Sequence, residues 1–340
     1  MKKTFSLKIE QFKPALIKRR VFNLDSLQLQ SKWNSRNTAL QNDLKKEIIK
    51  YLKVRVDTQN IVFGFGSYSI LERLAWKLIE KGLMIGEFPQ FRYFPMEYIQ
   101  AGGSYKGFGR KDFSFPFEEI REAIKTRKNL KIVYINNPNN PTGQFWDIRQ
   151  VTEIIRLAEK KRVLVLIDEI YGDLALSEKS YARLVNEYKN LIVVRSFSKI
   201  LGLQNLRVGY MIASSDIIEK YKNICNWDEI NNIGAKQALR ILKNIPAQSA
   251  LQKKMVQTKK IMTALLLKKE YSVVPSSFEV PILFVKKKGI PDLGEYFRKK
   301  NIKVEGSAVF QVLDKKFPKC YTRIRVPLST NFINEIKAKL

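Results

Sequence analysis

Residues 131–136 (KIVYIN), 147–161 (DIRQVTEIIRLAEKK) and 163–168 (VLVLID) decide the fold. The first and last are short, β-branched and apolar nearly throughout, the composition of strands buried on both faces. Between them, Ile148, Val151, Ile155 and Ala158 share one face of a 3.6-residue helix, and Asp147 stands where an N-cap belongs. Strand, helix and strand make a βαβ unit with a right-handed crossover. Residues 191–196 (LIVVRS) repeat the strand pattern. The class is therefore α/β, with these three strands predicted as neighbours in a mainly parallel sheet flanked by helices.

Working outward, residues 61–64 read as a further strand, and 69–81 (SILERLAWKLIEK) as the helix that follows it. Beyond about residue 245 comes a long lysine-rich helical stretch, then separate short strands at 284–286 and 321–326. The expected organisation is a large domain over 26–245 and a smaller α+β domain built from 1–25 and 246–340. At 340 residues and 45% apolar content, the chain is long enough for both cores.

Composition excludes much chemistry. With no histidine, Ser-His-Asp and Cys-His catalysis and His-ligated zinc or haem are ruled out, leaving Lys, Tyr, Asp or Glu to move protons. Cys225 and Cys320 lie far apart and outside any CxxC pair, which points to a reducing, cytoplasmic setting without a disulfide framework. No apolar run approaches the roughly 20 residues of a membrane span, and charges with Pro14 break up the lysine-led N-terminus, so neither a membrane partner nor a signal peptide is expected. The formal charge is +30. That excess is spread along the chain and not gathered into one basic helix or tail, so no nucleic-acid partner is expected.

Each of the strands carries special residues at its carboxyl end, the edge of a parallel sheet where ligands bind. After 131–136 comes Asn137-Pro138-Asn139-Asn140-Pro141-Thr142-Gly143, a turn that aims an amide across the sheet end. After 163–168 comes Asp168-Glu169-Ile170-Tyr171, an acid on an apolar strand tip that calls for a positive partner. After 191–196 comes Ser196-Phe197-Ser198-Lys199, with Arg207 eight residues on. Gly64-Phe65-Gly66-Ser67-Tyr68-Ser69 opens a helix after a strand, but lacks the third glycine of a dinucleotide fingerprint. It suits either a phosphate at a helix N-terminus or an ordinary tight turn. Singly, each motif has such a structural alternative: a turn, a chance acid, a solvated lysine. Jointly, a Schiff-base amine, a carboxylate for a pyridinium nitrogen, an amide and phenol for a phenolate oxygen and a phosphate cup are the parts of a pyridoxal-phosphate site.

Over residues 60–209, and more weakly over 321–328, the chain resembles the class I/II aminotransferases of PLP fold type I, particularly the histidinol-phosphate aminotransferase and threonine-phosphate decarboxylase groups. The resemblance implies pyridoxal 5'-phosphate as cofactor and Lys199 as the Schiff-base lysine. Asp168 falls on the ring-nitrogen partner, and Asn140 and Tyr171 on the partners of the phenolic oxygen. Gly66, Ser67, Tyr68, Ser196, Ser198 and Arg207 match the phosphate site, Phe91 the stacking aromatic and Arg323 the carboxylate clamp. It also implies a homodimer acting on small amino and keto acids, by transamination or, as in the decarboxylase group, by loss of carbon dioxide. Two features depart from the pattern. The N-terminal Asn-Glu-Asn-Pro and Arg-Tyr-Pro elements have no clear counterpart, Trp33 and Arg36 standing nearest, and Glu305 occupies a place where relatives often carry arginine. A regulator of the same fold fits less well, because the full cofactor set is retained without an appended DNA-binding domain, and a sugar aminotransferase fits less well because that group shares the Asn-Pro-Thr-Gly and Arg323-type pattern less closely.

Overall fold

The computed structural model describes residues 37–172, 180–199, 201–225, 229–327 and 330–339. Its larger sheet is built from β1 (Ile61–Phe65), β2 (Leu83–Phe88), β3 (Ser104–Gly109), β4 (Leu130–Asn136), β5 (Leu164–Asp168), β6 (Leu191–Ser196) and β7 (Val208–Ala213), in the spatial order β1-β7-β6-β5-β4-β2-β3. The run from β6 to β3 is parallel, and β7 lies antiparallel to both β6 and β1. The sheet is thus mainly parallel, as the apolar runs predict.

Period-two alternation explains why those runs form strands. On β5, Val165 and Ile167 face one core while Leu166 faces the other, and all three are fully buried. The same division separates Val133 and Ile135 from Ile132 and Tyr134 on β4. Each such side chain contributes about 1.5–3 kcal/mol on leaving water. Because Asn136 pairs level with Asp168, and Asp168 with Val194, the polar tails of these strands emerge along one edge.

The crossover helix (Ile148–Lys160) buries Val151, Ile154, Ile155 and Ala158, and the Asp147 carboxylate accepts from the N–H groups of Arg149 and Gln150 at 2.7 and 3.2 Å. Loss of such a cap costs about 1 kcal/mol. The helix expected over 69–81 differs: it begins at Gly66, runs to Arg73 and widens into a π-helical turn over Leu74–Leu78. Gly66, at φ 73°, makes the early start possible, since the chain turns from strand to helix within one residue.

A second, antiparallel sheet has the order β10-β11-β9-β8, from β8 (Tyr271–Val273), β9 (Ile282–Lys287), β10 (Glu305–Gly306) and β11 (Tyr321–Arg325). The two short strands expected here are neighbours, with Arg323 opposite Phe284. Leu283, Val285 and Ile324 pack with Met262 and Leu266 of the long helix over Ile245–Lys268. All strands of the larger sheet lie between residues 61 and 213, and all of the smaller between 271 and 325. Residues 1–25, assigned above to the small domain, lie outside the described residues, as do Trp33 and Arg36. Among the described residues no helix is long and apolar enough to cross a membrane.

Candidate active site

The strand tips converge as expected. Every site residue proposed from sequence except Gly66 and Arg323 lines one cleft. Gly66 and Arg323 border it through their contacts. At one end, Ser196 donates to the Ser198 hydroxyl at 2.8 Å, and the Ser198 N–H donates back to Ser196 at 3.1 Å. Arg207, itself at φ 52°, accepts the Gly66 N–H on its carbonyl at 3.0 Å. A Cβ on Gly66 would stand 2.5 Å from the Arg207 guanidinium, and one on Gly209 only 2.2 Å from the Ser67 nitrogen. Both positions need glycine for β1 and β7 to bring serine hydroxyls, backbone N–H groups and a guanidinium around one point. That donor set suits a phosphate.

Asp168 closes the floor, buried at the end of β5. Its Oδ1 accepts the Ile170 N–H and its Oδ2 the Tyr134 hydroxyl, each at 3.0 Å. Burial pushes the carboxyl up to about 6, against the opposing pull of these hydrogen bonds and of Lys199. Sequence reasoning missed Tyr134. It sits mid-strand in an apolar run, where an aromatic reads as core.

Lys199 reaches into the cleft with Nζ 6.0 Å from the centre of the Tyr171 ring. Burial lowers its pKa, and the nearby cations Arg323 and Arg325 lower it further, Glu305 and Asp168 acting against them. A larger fraction of neutral amine follows at any given pH, which is what a nucleophile or base needs.

Arg323 links the two sheets at the mouth of the cleft. One of its nitrogens donates to Asn140 Oδ1 at 2.8 Å and to the Tyr171 hydroxyl at 3.4 Å, while another pairs with Glu305. Glu305 lies directly across the ladder from Arg323 and also faces Arg92 at 3.6 Å. The Arg323 Nε is buried without a hydrogen-bond partner among the described residues. The sequence flagged Glu305 only as an unusual residue. Its pairing with Arg323 and Arg92 joins three distant stretches, which nothing local in the sequence reports.

The family model for aminotransferase class I and II matches residues 12–309. The chain belongs to the class I and II aminotransferases. Among its curated relatives in that family is the histidinol-phosphate aminotransferase of Caldanaerobacter subterraneus subsp. tengcongensis, 31% identical over 204 residues, or 59% of this chain and 56% of the relative. The chain spans about half the length of the curated relatives it matches. Among solved structures, the histidinol-phosphate aminotransferase of Clostridium acetobutylicum superposes with a TM-score of 0.75 at 22% identity, covering 88% of each chain. The Sinorhizobium meliloti histidinol-phosphate aminotransferase, solved in complex with pyridoxal-5'-phosphate, gives 0.73 at 20% identity, covering 88% of this chain and 80% of that one. At these identities the likeness is one of fold, and the fold is that of the PLP fold type I aminotransferases.

Proposed function

We propose that this class I/II aminotransferase binds pyridoxal 5'-phosphate and transaminates an amino acid or amino-phosphate type of substrate, with Lys199 as the residue bonded to the cofactor. The observation that carries the reading is the convergence, in one cleft, of a phosphate-type donor cup, a buried carboxylate and a lysine whose pKa is lowered. The residues fit the cofactor. Gly66, at a positive φ that suits glycine, leaves room for the Arg207 guanidinium, and a buried carboxylate such as Asp168 is best offset by a cationic ring nitrogen.

When bound, pyridoxal phosphate supplies an electron sink for the pair left on a substrate carbon. The protein supplies the rest. Ser67, Ser196, Ser198 and Arg207 would hold the phosphate, and Phe91 would cover the ring. Asp168 would keep a proton on the ring nitrogen. Because the Asn140 Oδ1 already accepts from Arg323, its Nδ2–H is the end left to donate toward the phenolic oxygen, together with the Tyr171 hydroxyl. Lys199 Nζ would take the α-proton and return it. Arg323 would orient the substrate carboxylate, its planar fork suited to two parallel hydrogen bonds.

The test is a single-turnover experiment. Mixing the cofactor-loaded protein with a competent amino acid, in the absence of keto acid, should bleach the yellow colour and release the matching keto acid. Continued carbon dioxide release with the colour restored would instead establish decarboxylation.

Two organisational readings accompany this one. The large domain is taken as 26–245 and the small domain as 1–25 with 246–340, in a cytoplasmic enzyme. The functional unit is taken as a homodimer, supported by an exposed aromatic patch beside the cleft. Phe65, Tyr68, Trp76 and Tyr93 are 53, 38, 46 and 39% exposed. The Tyr68 hydroxyl and the Trp76 indole both donate to Glu97, and the Tyr68 ring meets Tyr93 edge-on. An ordered apolar patch of this kind suits a two-fold interface. Sedimentation at micromolar concentration should give twice the 39.6 kDa of one chain. A stable, active monomer would overturn the dimer.

A further inference from the structure

Glu87 is buried near the end of β2, only 2% exposed, and the chemistry above makes no use of it. Its Oε1 accepts the N–H of Asn136 at 2.7 Å and the Nδ2–H of Asn139 at 3.2 Å. Its Oε2 is buried with no hydrogen-bond partner among the described residues. Asn136 in turn accepts the Phe91 N–H on Oδ1 at 2.7 Å. Asn139 spans the same gap, donating to the Pro89 carbonyl at 3.1 Å and accepting the Thr142 N–H and hydroxyl at 3.0 and 2.8 Å. One carboxyl oxygen therefore anchors both the loop bearing Phe91 and the loop bearing Asn140. The groups facing it are amides, phenols and an indole: Asn136 and Tyr134 from β4, Tyr105 from β3, and Asn139 and Trp146 from the chain after β4. Both phenols are pushed up by burial and stay neutral. None of these groups carries a positive charge, so burying an ionised carboxylate here is costly even though the N–H donors favour it, whereas a neutral acid is tolerated.

We infer that Glu87 is a positioning residue that works as an uncharged acid, fastening the Phe91 loop and the Asn140 loop to the same sheet edge; its effect on the cofactor rests on the reading proposed above. Burial moves its carboxyl from the usual 4.5 up to about 8. The folded protein then keeps a proton that the unfolded chain has released, so stability falls as pH rises from 4.5 to about 8 and levels off beyond.

Two measurements on E87Q, E87A and wild type test this. In cofactor-free protein, the wild-type Tm should drop between pH 5 and pH 8 by roughly 5 °C more than that of E87Q, which has no proton to lose. The Asp168 titration is common to both and cancels. Equal pH dependence, or failure of E87Q to fold, would overturn the uncharged acid. In the second measurement, spectral titration with pyridoxal phosphate should give weakening of about tenfold for E87A, the scale of one lost anchor of about 1.4 kcal/mol, and less than about twofold for E87Q. N139A, which removes one leg of the anchor, should show the same loss in weaker form and replaces E87A if that variant does not fold. Wild-type binding in E87A or N139A, or equal damage in E87Q and E87A, would overturn the positioning role. If wild type itself does not bind pyridoxal phosphate, the cofactor reading fails while the pH arm still decides the state of Glu87.

Discussion

Lys199→Ala should bind pyridoxal phosphate without covalent attachment and lose turnover by at least about 10⁴. A positioned general base contributes about 10²–10⁴, and on the reading proposed above the same side chain would also be the nucleophile bonded to the cofactor. The other groups of the cleft are poor substitutes: the chain has no histidine, the Tyr68 and Tyr171 phenols are pushed up and stay protonated, and the Asp168 carboxylate is tied to Tyr134 and Ile170. The phosphate cup is built from other residues, and the one hydrogen bond that Arg325 makes to Lys199 is to its carbonyl, so the variant keeps both. Borohydride reduction of the wild type followed by peptide mapping should place the label on Lys199. A label on another lysine, or an alanine variant within tenfold of wild type, would remove Lys199 from its role.

Asp168→Asn is the second large effect. The amide preserves the shape but cannot keep a ring nitrogen charged, and breaking a buried charged pair costs about 3–5 kcal/mol. At 1.36 kcal/mol per decade, the rate should fall by roughly 10² to 10⁴. The same substitution should stabilise the cofactor-free protein. Burial raises the folded-state carboxyl from 3.8 to about 6, so wild-type stability declines as pH rises through that window. Above pH 6 the cofactor-free variant should melt higher than wild type, by the equivalent of about 3 kcal/mol, and below pH 4 the difference should vanish. A rate change under threefold would make Asp168 structural.

The parts of this molecule legible in its sequence are those governed by local pattern. β4, β5 and β6 are buried on both faces, so their composition alone announces them, and their polar tails point to the ligand edge. β2 (LMIGEF) and β7 (VGYMIA) are interrupted by glycine, and β2 also by Glu87; their strand character comes from the partners they pair with. β3 lies at the sheet edge with every residue partly or fully exposed, and lacks the apolar signal. Among site residues, those on the strand tips were readable because a charge or hydroxyl stands out against an apolar run. Tyr134 was not, since a phenol inside a strand carries no such contrast. Arg92, Glu305 and Arg323 are joined by the smaller sheet meeting the larger one, a relation between segments more than 200 residues apart in sequence.

That last trio changes what substrate capture means. If Arg323 clamps the substrate carboxylate as proposed, part of its guanidinium is already matched by an internal carboxylate, so an incoming anion would arrive by exchange with Glu305. The displaced Glu305 does not lose all its counter-ions, because Arg92 faces it on the other side. On that reading the cleft would act as an ion exchanger whose resident counter-ion stays tethered to β10. Its selectivity is then set by how well a ligand outcompetes a carboxylate that can never diffuse away, a contest that favours ligands bringing two well-spaced oxygens over those bringing charge alone.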